Sequence, residues 1–173
     1  MRILGIDPSL NSTGYGVIEY AGGRMRLVEG GVIAPGRRRN LEERLADLQR
    51  SLGDVIAAFH PHVMVVEEVF SRTAYPRTAI MMAHARGALI CAAALAQTPI
   101  VHYSATAVKL ALVGRGGASK QQVASMVVQA LGLRRSPRPA DVTDALALAI
   151  AHGRRSNGAA VTANGVRRGR SRR

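Results

Sequence analysis

The chain has 173 residues, 47% of them apolar and 20% charged, which is typical of one soluble globular domain and not of a disordered or fibrous protein. Its formal net charge of +13 indicates a partner that carries phosphate, such as nucleic acid. The single Cys91 excludes an internal disulfide, and the acidic Asp7 interrupts the first apolar stretch, where a signal peptide would continue. The longest apolar stretch, residues 79–96, contains His84 and Arg86 and does not resemble a membrane span. We therefore expect a soluble cytoplasmic protein without a membrane partner.

The basic charge is not confined to the C-terminal end of the chain. Residues 154–173 hold seven arginines and no acid, and without them 17 basic residues still face 11 acidic ones, a net charge of +6. This excess favours a polyanionic partner more strongly than a solvated charged tail would. The aperiodic Gly, Asn, Ala and Arg of residues 154–173 predict a disordered basic tail after a folded domain at residues 1–153.

The first third of the chain alternates short apolar runs with glycine turns. These runs predict strands at Arg2–Asp7, Gly14–Tyr20 and Met25–Ile33, and Gly22-Gly23 predicts a hairpin turn between the last two. Leucines and other apolar residues then recur at helical spacing from Leu41 to Phe59. This order predicts three strands followed by an amphipathic helix.

The remaining elements alternate between strand and helix. Val63–Val66 is a continuous apolar run, as expected of a strand that is covered on both faces. Five strands interleaved with helices predict an α/β protein with a mixed sheet, in which sites form at the carboxyl ends of strands. The further predicted elements are a helix at about Thr78–Leu95, a strand at Pro99–Tyr103, helices at Ala105–Leu112 and Ser119–Leu131, and a last helix from Pro139 to about His152.

Four widely spaced carboxylates lie at the ends of predicted strands or at the start of the last predicted helix, in a chain with no acid between Glu68 and Asp141. Asp7 ends the first strand, and either Glu67 or Glu68 faces the site from the fourth, because strand side chains alternate. Asp141 and Asp144, three residues apart, share one face of the last helix. The carboxylates of such a cluster repel one another unless a cation binds, and oxygen ligands favour Mg²⁺ or Mn²⁺. Two such ions ~4 Å apart can activate water and stabilise the leaving oxygen of a phosphodiester. The set predicts a metal-dependent nuclease.

The same residues also have interpretations that do not involve a nuclease. Asp141 and Asp144 in a first helical turn would stabilise the helix dipole. The segment from Gly5 to Gly16 could instead hold a nucleotide phosphate in an ATP-binding protein, although it contains no Lys and does not match the P-loop pattern. A nucleic-acid-binding protein without catalytic activity is a further alternative.

Candidate nucleic-acid contacts lie around the carboxylates in the sequence. Phe70 could stack on an unpaired base or belong to the core. The basic and tyrosine candidates could equally be solvated surface residues. The apolar helix at Thr78–Leu95 could be a core element or a subunit interface. The full set of candidate contacts is Phe70, Arg72, Tyr75, Arg77, Lys109, Arg115 and Lys120.

Four motifs, in this order, resemble those of the RuvC family of bacterial Holliday-junction endonucleases. The resemblance spans about Met1–His152 and departs at Ser9, where the family usually has Gly. The motifs are Gly5-Ile6-Asp7-Pro8 with Thr13-Gly14-Tyr15-Gly16, Glu67-Glu68-Val69-Phe70, Ala85-Arg86-Gly87, and Asp141-Val142-Thr143-Asp144-Ala145-Leu146-Ala147.

The resemblance implies a ribonuclease H-like fold with a mixed five-stranded sheet flanked by helices. It implies that Phe70 engages bases and that Lys109 and Lys120 lie near the scissile phosphate. It further implies a homodimer that nicks opposed strands of a four-way DNA junction in recombination and repair, together with the RuvA–RuvB branch-migration complex. The implied catalytic and metal-binding acids are Asp7, Glu67, Asp141 and Asp144, which selects Glu67 over Glu68. A ribonuclease H-like nuclease that acts on RNA or a hybrid is the alternative within this fold.

Overall fold

A computed structural model gives the fold of the chain and describes residues 1–36, 39–68 and 76–168. Five strands form one sheet in the order β3-β2-β1-β4-β5. The strands are β1 Arg2–Asp7, β2 Thr13–Ala21, β3 Arg24–Ile33, β4 Val63–Glu67 and β5 Ile100–Tyr103. The helices are α1 Leu41–Phe59, α2 Pro76–Leu95, α3 Ala105–Val113, α4 Lys120–Leu131 and α5 Ala140–Arg168.

The sheet is mixed, as predicted. β1 pairs antiparallel with β2 and parallel with β4, and the outer pairs β2–β3 and β4–β5 are antiparallel and parallel respectively. Helices cover both faces, α3, α4 and α5 on one and α1 and α2 on the other. The predicted α/β class with a mixed five-stranded sheet is confirmed.

Strand alternation decides which residues of β1 and β4 face α5. Ile3 of β1 and Val65 of β4 belong to the core on the α5 side, whereas Leu4 and Met64 belong to the core on the α1 side. Residues two apart in a strand share a face. Asp7 and Glu67 therefore lie on the same face as Ile3 and Val65, the face that α5 covers.

Side-chain caps set the starts of three helices. Asn40 and Glu43 form a capping box at the start of α1, and Ser104 accepts a hydrogen bond from a backbone N–H in the first turn of α3. Ser119 and Gln122 form a second capping box at the start of α4. These caps satisfy backbone N–H groups that have no partner within the helix. The cap at Ser119 also sets the position of Lys120, the first residue of α4.

Two glycines let α5 lie directly on the sheet. A Cβ on Gly5 of β1 would overlap the backbone carbonyl of Ala145, and a Cβ on Gly14 of β2 would overlap the backbone carbonyl of Asp141. Both obstacles are helix backbone, which cannot rotate away as a side chain can. The missing side chains therefore set the distance between the sheet and the acidic turn of α5.

Helix α2 is more apolar over a membrane-spanning length than predicted. Its residues Arg77–Leu95 have a mean hydropathy of 1.5 and are long and apolar enough to cross a membrane by length and composition alone, with 22% of the tested window buried. The expectation that no apolar stretch reaches such a length is wrong, because the many alanines outweigh Arg86. Ala85 and Leu89 are buried in the core, while Ile80 is 53% exposed.

The helix α5 ends at Arg168, so its predicted end at about His152 is wrong. Extending an existing helix adds one hydrogen bond per residue, which lets a chain without apolar periodicity continue it. The division into a domain at residues 1–153 and a disordered basic tail at residues 154–173 stays a prediction.

Replacing Gly5 by Ala should destabilise the protein by more than ~2 kcal/mol, because the new methyl group meets the α5 backbone in a packed interface. Gly53 is the matched control, since a Cβ there meets nothing within 4 Å and lies on helix α1, where Ala is ~0.5–1 kcal/mol more favourable than Gly. Urea denaturation of both variants checks this. Equal stability changes would contradict the close contact of β1 with α5.

Candidate active site

The ends of β1 and β4 bring two acids together. Ile6 of β1 is the register partner of Val66 of the parallel strand β4, so the next residues, Asp7 and Glu67, are neighbours at the same sheet edge. Adjacent strands lie ~4.8 Å apart, which is close enough for direct repulsion between the two carboxylates. The site therefore starts from the pairing of two parallel strands.

Asp144 adds a third carboxylate from the first turns of α5. Asp7, Glu67 and Asp144 line one cavity of about 230 Å³. Lys109 of α3 and Lys120 of α4 line the same cavity. Five elements (β1, β4, α3, α4 and α5) thus place three acids and two cations around one space.

Asp141 lies beside this cavity and is held by the loop after β1. The hydroxyl of Ser12 donates a hydrogen bond to Oδ2 of Asp141. In the same loop, the hydroxyl of Thr13 donates to the carbonyl of Ser9 at 2.5 Å. Because both hydroxyls already have protein acceptors, the loop gives little support to the alternative interpretation as a phosphate loop.

Burial and neighbouring acids raise the pKa of Asp7 and of Glu67. The pKa of Asp7 is raised to about 7, first by burial and then by the negative charges of Glu67, Asp144 and Asp141, against a lowering effect of Lys120. Burial and the charge of Asp144 also raise the pKa of Glu67. A carboxyl with a pKa near 7 is partly protonated at neutral pH, so the cluster does not carry its full negative charge.

Lys120 partly neutralises the cluster. Its Nζ lies 3.3 Å from Oδ2 of Asp144, and its side chain is 83% exposed. The charge and the hydrogen bond of Asp144 raise the pKa of Lys120, with further contributions from Asp7 and Glu67. The ammonium group therefore stays charged at the mouth of the cavity.

The donor chemistry of the cavity suits a hard divalent cation. Within residues 1–36, 39–68 and 76–168, no group of three or more His, Cys, Asp or Glu side chains is already arranged as a metal site. Two of the acids instead have protein partners, Lys120 for Asp144 and Ser12 for Asp141. Three carboxylates nevertheless share the cavity, and a cation bound by their oxygens would reduce the repulsion between them. Such binding would require Asp144 or Asp141 to exchange its protein partner.

Arg77 and Arg115 do not line this cavity. Arg77 is exposed near the start of α2, and Arg115 is exposed in the loop between α3 and α4. Phe70, Arg72 and Tyr75 lie outside the described residues.

Sequence reasoning missed two positioning contacts. Arg86 of α2 donates from Nε to the carbonyl of Glu67 at 3.0 Å, and its Nη2 lies 2.8 Å from Nδ1 of His102 on β5. Arg86 therefore ties α2 to the strand end that carries Glu67. Its signals in the sequence were a charged residue within an apolar helix and its place in the Ala85-Arg86-Gly87 motif. Ser12 carried no signal, because its partner Asp141 is 129 residues away.

The raised pKa of Asp7 predicts a pH-dependent stability in metal-free protein. Between the unfolded pKa of 3.8 and the folded value of about 7, the folded state keeps a proton that the unfolded chain has released. Stability should therefore decrease as pH rises through this window. Calorimetric Tm values of wild type and Asp7→Asn between about pH 5 and pH 8 check this. The difference isolates Asp7, since His152, whose pKa is lowered chiefly by burial, is common to both proteins.

Wild type should lose Tm relative to Asp7→Asn as pH rises, and saturating Mg²⁺ should reduce this loss, because a bound cation favours the ionised carboxylates. Parallel Tm curves for the two proteins would contradict the repulsion described here.

Comparison with known proteins identifies the family of this chain. The family model "Crossover junction endodeoxyribonuclease RuvC" matches residues 3–152. The chain is 46% identical to RuvC of Rhodopirellula baltica over 148 residues, which are 86% of this chain and 83% of the relative. It is 40% identical to RuvC of Neisseria meningitidis serogroup A over 174 residues, covering 98% and 97% of the two chains.

A solved structure described as RuvC of T. thermophilus in complex with Holliday junction substrate superposes with a TM-score of 0.84 and 35% sequence identity, covering 90% of this chain and 94% of the other. The implied ribonuclease H-like fold is confirmed. On these matches, the chain belongs to the RuvC family of crossover junction endodeoxyribonucleases.

Proposed function

We propose that this protein hydrolyses phosphodiester bonds on opposed strands of four-way DNA junctions through Asp7, Glu67, Asp141 and Asp144. The cavity shared by Asp7, Glu67 and Asp144 carries the proposal, since it gathers acids from two strand ends and a helix beside two lysines. Membership of the RuvC family supports the reaction class, and the T. thermophilus relative was solved with a Holliday junction substrate.

The four acids would hold divalent ions, for which we propose Mg²⁺, with Mn²⁺ as a substitute, and two ions per site. Members of the family are divalent-metal nucleases. Such ions lower the pKa of water and neutralise charge that develops on a phosphoryl group. The raised pKa of Asp7 and Glu67 supports this assignment, because it reflects negative charges that lack sufficient compensation from the protein itself.

Lys109 and Lys120 would bind the phosphate next to the cleaved bond. Both line the cavity, and Lys120 is largely exposed, so its ammonium can exchange Asp144 for a phosphate oxygen. This exchange would free the carboxylate of Asp144 to bind a cation when DNA arrives. We further propose that the other sequence candidates contact DNA, namely Phe70, Arg72, Tyr75, Arg77 and Arg115.

A homodimer would place two such sites on one junction, and the exposed side of α2 suits its interface. Ile80, His84, Gly87 and Cys91 are all exposed and recur every three or four residues along the helix, continued by Leu95, which is 70% exposed. This spacing forms one stripe, as in helices that pair with another helix, and a Cβ on Gly87 would meet nothing within 4 Å. We propose that two copies pair through this stripe. A soluble dimer of this kind would act in the cytoplasm with RuvA–RuvB.

Replacing Gly87 by Arg should convert the dimer to a monomer, because a long charged side chain in the centre of the stripe prevents close packing of two helices. Gly53→Arg on α1 is the matched control, since a Cβ at Gly53 also meets nothing within 4 Å. Analytical ultracentrifugation measures the mass, and the ratio of paired to single nicks on a junction measures coupling. A Gly87→Arg protein that stays dimeric would rule out this interface.

The reaction is tested with a labelled four-way DNA junction beside a linear duplex and an RNA–DNA hybrid, each with and without Mg²⁺ or Mn²⁺. We expect metal-dependent paired nicks in the junction alone. Asp7→Asn should reduce cleavage by at least ~100-fold while keeping or improving junction binding, because it removes a ligand and also lessens repulsion of phosphate. Asp54→Asn, at an exposed position on α1, is the control for the loss of one negative charge.

Each alternative has its own outcome in this assay. Cleavage of the hybrid would change the substrate to RNA, for a nuclease of the same fold. Binding without cleavage under either metal would indicate a junction-binding protein without catalytic activity. Full-rate cleavage by Asp7→Asn would reject the proposed role of the acids.

A further inference from the structure

The loop between α4 and α5 carries a cluster of arginines. Arg134, Arg135 and Arg138 are all exposed, and none forms an ion pair with a carboxylate in the described part of the chain. Other described arginines are engaged by the protein, such as Arg26 with Glu19 and Arg39 with Asp47. Three neighbouring positive side chains without an ion-pair partner repel one another, and an anion from outside the chain would reduce this repulsion.

The loop is held to the helix turn that carries the catalytic acids. Oγ of Ser136 lies 3.1 Å from Oγ1 of Thr143, and Oγ1 of Thr143 donates to the carbonyl of Pro137 at 3.0 Å. Thr143 is 5% exposed and stands between Asp141 and Asp144 in sequence. The arginines therefore have a defined position relative to the active site and do not extend from a free tail.

The three arginines line a groove of about 930 Å³ between the loop and β3. Glu29 of β3 is the acidic residue in its lining, and Oε1 of Glu29 already accepts a hydrogen bond from the backbone N–H of Gly30 at 3.0 Å. Three guanidinium groups against one carboxylate leave the groove with a net charge of +2. Guanidinium groups bind phosphate oxygens well, because their N–H donors match the geometry of the anion.

The sheet order gives the distance of this groove from the cleavage site. Asp7 is on β1, and the groove borders β3, two strands away on the side opposite to β4. Two strands span ~10 Å across the sheet at ~4.8 Å each, and Glu29 is level with Leu4, which lies three residues or ~10 Å along β1 from Asp7, so the separation is ~14 Å. In the opposite direction from β1 lies β4 with Glu67, whose cavity Lys109 and Lys120 line. Cations thus flank the acids on both sides, as a polyanionic strand that crosses the site would require.

We propose that Arg134, Arg135 and Arg138 form a second phosphate-binding surface, which holds the DNA backbone about four nucleotides from the cleaved bond at ~3.4 Å per nucleotide. This inference rests on the proposed function and extends it from the cleavage site to an arm of the junction. The contacts are to phosphate, so they set affinity and position without reading sequence.

The triple variant Arg134→Gln/Arg135→Gln/Arg138→Gln tests the surface. Each lost phosphate contact lowers the magnitude of the slope of log K against log salt by ~0.9, so this magnitude should fall by ~2.7 for junction binding and the affinity by roughly 500-fold at 0.1 M salt. The matched control, Arg24→Gln/Arg26→Gln/Arg50→Gln, removes the same charge from exposed positions that do not line the groove. Arg135→Gln alone should produce about one third of the change in slope, and it serves if the triple variant does not fold.

A second measurement gives the position of the contact. Neutral methylphosphonate linkages are placed singly at each position up to about five nucleotides on either side of the cut. Wild type should lose affinity at about the fourth position on one side, and the triple variant should lose less there, because the two changes remove the same interaction. If wild type cuts junctions but the slope and the methylphosphonate pattern of the triple variant match those of the control, the surface is rejected and the proposed function stands. If wild type cuts no junction, the proposed function itself fails.

Discussion

Helix α5 lies directly against the centre of the sheet, and the position of the acidic cluster follows from this contact. Gly5 and Gly14 place helix backbone where any other residue would place a Cβ. This contact brings Asp144 to the strand ends that carry Asp7 and Glu67. A site built on paired strands and a packed helix holds its ligands more rigidly than one built on loops. The geometry of the acids is therefore a consequence of packing, and the acids themselves contribute only repulsion.

That repulsion explains the electrostatic state of the site. Asp7 has a pKa of about 7 because it is buried among Glu67, Asp144 and Asp141, and the protein compensates with Lys120 on Asp144 and the Ser12 hydroxyl on Asp141. Both partners are exchangeable, one being exposed and the other part of a loop. Functional sites often carry such a cost in stability, which a bound cation offsets. The same electrostatics account for the predicted loss of stability with rising pH and for the demand for a divalent cation.

The basic residues have different roles according to where the fold places them. Arg86 acts inside the protein, between the carbonyl of Glu67 and His102, and so links the apolar helix α2 to the strand end that carries Glu67. Lys109 and Lys120 lie at the cavity, while Arg134, Arg135 and Arg138 border a groove two strands away. The basic residues behind the net charge of +13 therefore have different roles, namely positioning inside the protein, proposed catalysis and proposed DNA binding. Composition indicates a polyanionic partner but does not separate these roles.

The five strands, the mixed sheet and the likeness to RuvC were predicted from the amino-acid sequence, because apolar periodicity and short motifs are local properties. The sequence also predicted the four acids as a set, although it left Glu67 and Glu68 open until the family resemblance was considered. Strand alternation in the folded sheet places Glu67 on the α5 face independently of that resemblance. The predicted end of α5 was wrong, because a helix can continue without apolar periodicity. Only the tertiary structure decided the contact of Ser12 with Asp141, the link from Arg86 to Glu67 and the groove of the loop arginines. Each of these depends on which distant segments meet, and that is set by packing across the whole sheet.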